Sequence, residues 1–192
     1  MPPHVKYTRE AVVQAAVSVF RKGGLSALNA RSIAAELGCS TQPLYSVLGS
    51  MEEVRAAVYD EAAHRFAQYQ SITAASPDIP PYKAAGLAML RFANEEKEMY
   101  KLLLLRDRSE ETEQGEEIGL RSATQNVYQA VMQSTGYSLE KAKAFHSHMF
   151  VFVQGMAAML VSGYHRYDEA LFSQYLSEEY QALRLLYDSQ TP

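Results

Sequence analysis

The sequence predicts an all-α fold, with a small N-terminal three-helix unit over residues 1–50 and a larger helical bundle over residues 51–192. Three observations predict it. Apolar residues recur at i, i+3 and i+4 through most of the 192 residues, the spacing of a single helix face. Strand-type alternation is nearly absent, and short turn clusters punctuate the helical stretches. The charge divides at the same place: residues 1–50 hold five basic side chains against two acidic ones, net +3, and the remainder holds 13 against 20, net −7. Segments of opposite sign point to one part that meets a polyanion and one that does not.

Each element has its own signature. The first helix is expected from Arg9 to Lys22, capped by Thr8 and with Glu10 in its positive first turn. Val12, Val13, Ala16, Val17 and Phe20 form its apolar stripe, and Gly23-Gly24 stops it. Asn29 caps a second, short helix that ends at Leu37 before Gly38. Ser40 is expected to cap a third from Thr41 to Leu48, with Pro43 in the first turn, where a missing N–H costs little. Ser50-Met51-Glu52-Glu53 reads as a capping box that opens a long helix to about Ala75. Residues 76–81, Ser-Pro-Asp-Ile-Pro-Pro, form the clearest linker. Further helices are expected at 81–94, 96–106, 109–134, 138–165 and 168–189, with Ser109, Ser138 and Asp168 as N-caps.

The composition, 47% apolar and 21% charged, excludes disordered and collagen-like chains. The one cysteine, Cys39, excludes an intrachain disulfide and suits a reducing compartment, so a cytoplasmic location is expected. The longest apolar run, Met149–Ser162, is interrupted by Gln154 and falls short of a bilayer span, so no membrane partner is expected. Met1–Arg9 has basic residues but no apolar signal core behind it. No phosphate loop, nucleophile elbow or dinucleotide fingerprint occurs, so no catalysis and no cofactor are expected. His146 and His148 are two apart and face different ways on a helix, and no His-x-x-x-His or Cys-x-x-Cys pattern occurs. No metal is expected either.

The strongest motif is the run Arg31–Leu48. Two short helices cross steeply only where a small residue sits at the crossing, and Ala34 supplies it. The tight turn needs a residue that tolerates positive φ, and Gly38 supplies it. Ile33, Leu37, Cys39, Leu44 and Val47 then fall at the buried positions, which makes Cys39 a small core residue. This is the spacing of a helix-turn-helix. Its third helix would enter the major groove of double-stranded DNA by its N-terminal end. There Gln42 can pair in bidentate fashion with adenine, Thr41 can bond a base edge or meet a thymine methyl, and Pro43 can offer apolar contact. Ser46 would bond a phosphate, and Tyr45 either does the same or packs against the first helix. Asn29 and Ala30 can present backbone amides to a phosphate, with Arg31 adding charge. Lys6 and Arg9 are further sources of phosphate contact.

Residues 9–54 resemble the N-terminal domain of the TetR family of bacterial transcriptional regulators. The matching features are Ala15-Ala16 with Phe20, then Gly24, Asn29-x-Arg31-x-Ile33-Ala34, Leu37-Gly38-x-Ser40, Leu44-Tyr45, Leu48 and Glu52-Glu53-Val54. Phe152–Met156 sits where many members carry a similar apolar segment. Asn29 stands where a Thr is usual, Leu48 where a Phe is usual, and Met51 where a Lys often contacts a phosphate. The third helix carries no basic residue. The resemblance implies a homodimeric repressor whose C-terminal domain binds a small-molecule effector, apolar or aromatic. The alternative is a helical protein-interaction module whose helix-turn-helix no longer meets DNA.

The long helix at 138–165 is apolar on two faces and so is expected to be buried on two sides. One face holds Phe145, Met149, Phe152, Met156 and Met159; the other holds Phe150, Val153, Ala157, Leu160, Val161 and Tyr164. The resemblance implies that the first lines core and pocket and that the second meets the partner subunit. Phe172, Tyr175, Leu176 and Leu183 of the last helix would complete a four-helix interface, with Gly155 and Ala157-Ala158 allowing close approach. Expected pocket residues are Phe66, Tyr69, Met89, Phe92, Met99, Leu103, Tyr128, Phe145, His148, Met149 and Phe152, with His148 as a buried polar tip.

Overall fold

The computed structural model describes residues 7–105 and 118–189. Among them are nine helices and no strand: α1 (Arg9–Ala27), α2 (Ala30–Leu37), α3 (Gln42–Leu48), α4 (Met51–Ala74), α5 (Pro81–Glu95), α6 (Lys97–Leu104), α7 (Ile118–Thr135), α8 (Leu139–Val161) and α9 (Glu169–Ser189). Lys6, Ser109 and the acidic stretch 110–117 lie outside the described residues.

The chain forms two compact units, one of Met1–Arg65 with Glu96–Arg106 and one of Phe66–Glu95 with Asp107–Pro192. The first unit thus continues past residue 50 and takes up α6.

In the first unit, α1 packs on α2, α3 and α6. Its core holds Val12, Ala16, Phe20, Ile33, Leu44, Leu48, Val54, Val58, Ala62, Met99, Tyr100 and Leu103. The Thr8 hydroxyl caps α1 by accepting from Ala11 N at 3.1 Å. The helix runs on past Lys22 to Ala27, but Gly24, at φ 65° and ψ −159°, breaks the helical path. That region of φ/ψ is essentially restricted to glycine, so the chain turns where the Gly-Gly pair predicts even though helical bonding resumes beyond it. Gly38 caps α2 in the left-handed conformation, φ 68° and ψ 33°. Ser40 is not the cap of α3. Thr41 holds that position with no side-chain cap bond, and Pro43 already removes one of the amides a cap would satisfy. Half of the capping box forms: Glu53 N donates to Ser50 Oγ at 3.1 Å. Ser50 N donates to Leu48 O at 2.7 Å and so is not available to the Glu53 carboxylate.

In the second unit α5 packs on α7, α8 and α9, and α8 packs on α7 and α9. Ser138 and Asp168 cap α8 and α9 as expected, accepting from Lys141 N at 3.3 Å and Leu171 N at 3.1 Å. A Cβ on Gly86 would come within 3.2 Å of Leu176, so glycine lets α5 lie close to α9. By length and composition α8 can cross a bilayer, with mean hydropathy 1.4 over 18 residues. The expectation of a shorter apolar run is corrected, because the helix begins at Leu139, ten residues before Met149. Burial accounts for part of that apolarity: Ala142, Phe145, Met149, Val153, Met156, Ala157 and Leu160 are buried in the bundle, and a third of the apolar window is buried in all.

Candidate nucleic-acid and effector sites

The α2–turn–α3 segment has an inner and an outer side. Leu44 and Leu48, one turn apart, are 0% and 1% exposed and fix α3 to the core. The opposite side presents Gln42, Tyr45 and Ser46 to solvent, with Thr41 and Pro43 half-buried beside them. Tyr45 is 45% exposed. The Ser46 hydroxyl donates back to Gln42 O at 3.0 Å. At the start of α2, Asn29 Oδ1 accepts from Arg31 N and Ser32 N at 3.1 and 3.0 Å, and Ile33 N donates to Asn29 O. The cap therefore already satisfies the amides of Arg31 and Ser32. Cys39, expected in the core, is only half-buried, and so are Leu37 and Val47, because the turn leaves its outer rim open.

The cations sort into two groups. Lys22 is held by Glu36 at 2.8 Å, and Arg21 by Glu96 at 2.7 Å. Glu36 also accepts from Ser18 Oγ, and the Lys22 and Ser18 bonds hold its carboxyl below the usual carboxylate range. Arg9, Arg31 and Arg55 are exposed and have no ion-pair partner among the described residues. Sequence reasoning missed Arg55. It lies on α4 four residues after Met51, hence on the same helix face, and that spacing was the available signal.

The second unit holds two aromatic groups. Phe92 packs on Phe66 and Tyr69, ring centroids 5.1 and 5.4 Å away, and the Tyr69 hydroxyl donates to Glu95 at 2.6 Å. Phe145, fully buried, is ringed by Tyr82, Tyr137, Tyr180 and Tyr187 at 5.3–6.3 Å. His146 continues this group toward Tyr82, Tyr128 and Phe150. The Tyr82 hydroxyl lies 3.1 Å from His146 Nδ1. Burial lowers the His146 pKa and raises that of Tyr82, so both rings are held neutral. Met89 and Phe152 are half-buried and Met149 is buried. Phe152 also lines a shallow surface groove of about 390 Å³ with Tyr175, Glu178, Glu179 and Ala182.

Three sequence-level expectations are corrected. His148 is exposed, and His146 is the inward histidine. At roughly 100° per residue, position 146 lies beside the buried stripe and position 148 swings away from it. Met99 and Leu103 sit in the core of the first unit on α6, not with Phe66, Met89 and Phe92 in the second. Val153, Ala157, Leu160, Phe172, Leu176 and Leu183, expected at a subunit interface, are buried within their own chain. Both apolar faces of α8 were legible, but the buried stripe runs between them. Of the expected interface residues, Phe150, Tyr164 and Tyr175 are exposed and Val161 is half-buried. Val151 and Met159 on α8 and Leu185 and Leu186 on α9 are also exposed. Among the described residues no cluster of three or more His, Cys, Asp and Glu could hold a metal ion.

This is a helix-turn-helix unit joined to a helical bundle, and the fold is that of TetR-family transcriptional regulators. A TetR-like regulator from Rhodococcus sp. RHA1 matches over 100% of both chains with a TM-score of 0.66 and 18% identity. The fatty acid degradation regulator FadR from Bacillus halodurans matches over 91% of this chain and 97% of its own, at 0.61 and 19%. SmeT, repressor of the multidrug efflux pump SmeDEF of Stenotrophomonas maltophilia, matches over 95% and 89%, at 0.54 and 18%. No family model and no curated protein matches the sequence.

Proposed function

We propose that this protein is a dimeric, ligand-responsive, DNA-binding transcriptional regulator without catalytic activity. In this reading it is a cytoplasmic repressor released from a palindromic operator by a small apolar or aromatic molecule. The observation that carries the reading is the α2–turn–α3 unit, where left-handed Gly38 and the Asn29 cap set two short helices around a Leu44–Leu48 anchor, with Gln42 and Tyr45 outward. Residues 1–50 carry the DNA contacts. Gln42 and Thr41 read bases, Pro43 adds apolar contact, and Tyr45, Ser46, Asn29, Ala30 and Arg31 hold phosphates, with Arg9, and Arg55 just beyond this segment, supplying further charge.

Residues 51–192 carry effector binding and dimerisation. The effector site is drawn from the aromatic residues of the second unit, including Phe66, Phe92, Tyr128, Phe145 and His146. A structural neighbour, the multidrug binding protein EbrR, is seen complexed with ethidium, and an aromatic surface suits a planar aromatic ligand. An effector releases DNA only if it binds better to a geometry that fits the operator poorly. For the dimer, Val151, Gly155, Ala158 and Met159 of α8 and Tyr175, Ala182 and Leu186 of α9 form the outward apolar face. A Cβ on Gly155 would meet nothing in its own chain. Glycine within a helix costs about 0.5–1 kcal/mol relative to alanine, and close approach of a second copy accounts for it.

Selection of genomic fragments by the purified protein at low and moderate salt tests the reading. A short enriched palindrome is the expected result. A second reading, an interaction module that no longer meets DNA, is favoured by Met51 and by the absence of any basic residue on α3. A folded dimer that enriches nothing at either salt would support it.

A further inference from the structure

Two consecutive glutamates stand where α5 gives way to α6, Glu95 as the last residue of α5 and Glu96 between the two helices. Glu95, which accepts from Tyr69, belongs to the second unit. Glu96 belongs to the first unit and is 6% exposed. Its Oε2 forms an ion pair with Arg21 Nε of α1 at 2.7 Å, without hydrogen-bond alignment, and its Oε1 accepts from Arg65 Nη1 of α4 at 3.4 Å. Arg65 also donates through Nε to Glu61 at 2.8 Å. One buried carboxylate therefore serves two guanidinium groups from two different helices. Without it, Arg21 loses its ion-pair partner while Arg65 keeps Glu61, and the two guanidinium charges that had shared one acid repel. The first of these helices carries the recognition elements, since α2 and α3 both pack on α1.

We propose that Glu96 is a positioning residue for DNA recognition: a carboxylate latch that holds α1, and with it α2 and α3, to α4 and the start of α6. The inference rests on the DNA-binding reading above and adds to it the device that fixes the recognition helix. Loss of that carboxylate removes the acid shared by both arginines. Separation of the two arginines then loosens α1.

The test compares wild type, R21Q, E96Q and the R21Q/E96Q double variant on the DNA fragment that wild type selects. Arg21 is 47% exposed, so R21Q provides a variant that folds even if E96Q does not. The expected order of rising Kd is wild type, R21Q, the double variant, then E96Q. The E96Q loss should be about 5- to 150-fold, the usual range for coupled sites. The double variant binds more tightly than E96Q because it removes the orphaned Arg21 charge. A purely structural role gives lower melting temperatures with additive losses or no loss in affinity, and that result overturns the latch. Hydrogen exchange of the same variants without DNA reads the latch independently. Faster exchange in the second half of α1 in R21Q and E96Q is expected, and unchanged exchange overturns it. A wild-type protein that selects no fragment overturns the DNA-binding reading and the recognition role together, while the exchange comparison still decides whether the latch holds α1.

Discussion

Tyr82 and His146 are joined across α5 and α8 by a hydroxyl–imidazole contact of 3.1 Å, within a shell that also includes Tyr128 and Phe150. The shell presents aromatic rings and a tyrosine hydroxyl to the imidazole, and burial holds His146 below the ordinary imidazole range. In the unfolded chain the same group titrates near ~6.5. The unfolded state therefore binds the proton first as pH falls. The stability that neutral His146 supports is complete above ~6.5 and is lost as pH drops through that value toward the lower folded pKa. Between about pH 7.5 and pH 5.5 the melting temperature of wild type should fall by more than that of His146→Gln, in which an uncharged amide faces Tyr82. Parallel melting curves for the two proteins would remove His146 as the cause.

The Asn29 side chain satisfies two first-turn amides of α2. Asn29→Ala should lower the unfolding free energy by about 1 kcal/mol, the usual loss for an N-cap. Asn29→Thr should restore most of it, since a hydroxyl can accept from the same amides. Chemical denaturation with an unchanged m-value measures both.

Base reading and phosphate holding should separate experimentally. Gln42→Ala is expected to weaken discrimination between operator variants by about 1–3 kcal/mol at the base it reads, with little effect on non-specific binding. Arg31→Gln should weaken binding to all sequences and reduce the slope of log K against log[salt] by about 1. Titrations at three salt concentrations on two operator variants resolve the two effects. A Gln42→Ala protein that discriminates as well as wild type removes that residue from base reading.

Two substitutions on the outer face of α8 should weaken assembly without weakening the fold. Gly155→Ala meets no steric obstacle within the chain and should stabilise the isolated subunit by up to about 1 kcal/mol, while the added methyl group keeps a second copy from approaching closely. Val151, 68% exposed, can become Glu without disturbing its own core, and Val151→Glu should sediment as a monomer. A dimer in both variants would move the interface elsewhere.

The helical order, the caps at Thr8, Asn29, Ser138 and Asp168, and the left-handed turn at Gly38 were readable from local chemistry. Each depends on a residue and its immediate neighbours. The split into faces on α8 was less readable, because this helix is apolar over most of its circumference and periodicity cannot say which arc turns inward. Hence periodicity alone exchanges His146 and His148 and places Val153, Ala157 and Leu160 outward. The membership of Met99 and Leu103 in the first unit was invisible for a different reason. It depends on α6 leaving the segment around it to pack on α1, a long-range choice that no local pattern encodes. Glu96 gave no signal either, since one acid among 22 acidic residues becomes distinctive only when two arginines from distant parts of the chain converge on it.

Gly24 and Gly38 both have positive φ, yet their surroundings differ. A Cβ on Gly38 would meet nothing, whereas one on Gly24 would come within 2.5 Å of a Glu98 carboxylate oxygen. Position 38 needs only a residue that tolerates the left-handed region, which asparagine does at modest cost. Position 24 has both the glycine-only backbone and an occupied neighbour. Homologous sequences should therefore drift at 38 independently of the rest of the chain. Any escape from glycine at 24 should arrive with a reshaped turn, because the backbone region there excludes other residues even after the flexible Glu98 side chain moves aside, so that position 24 records how this lineage has kept the end of α1 folded.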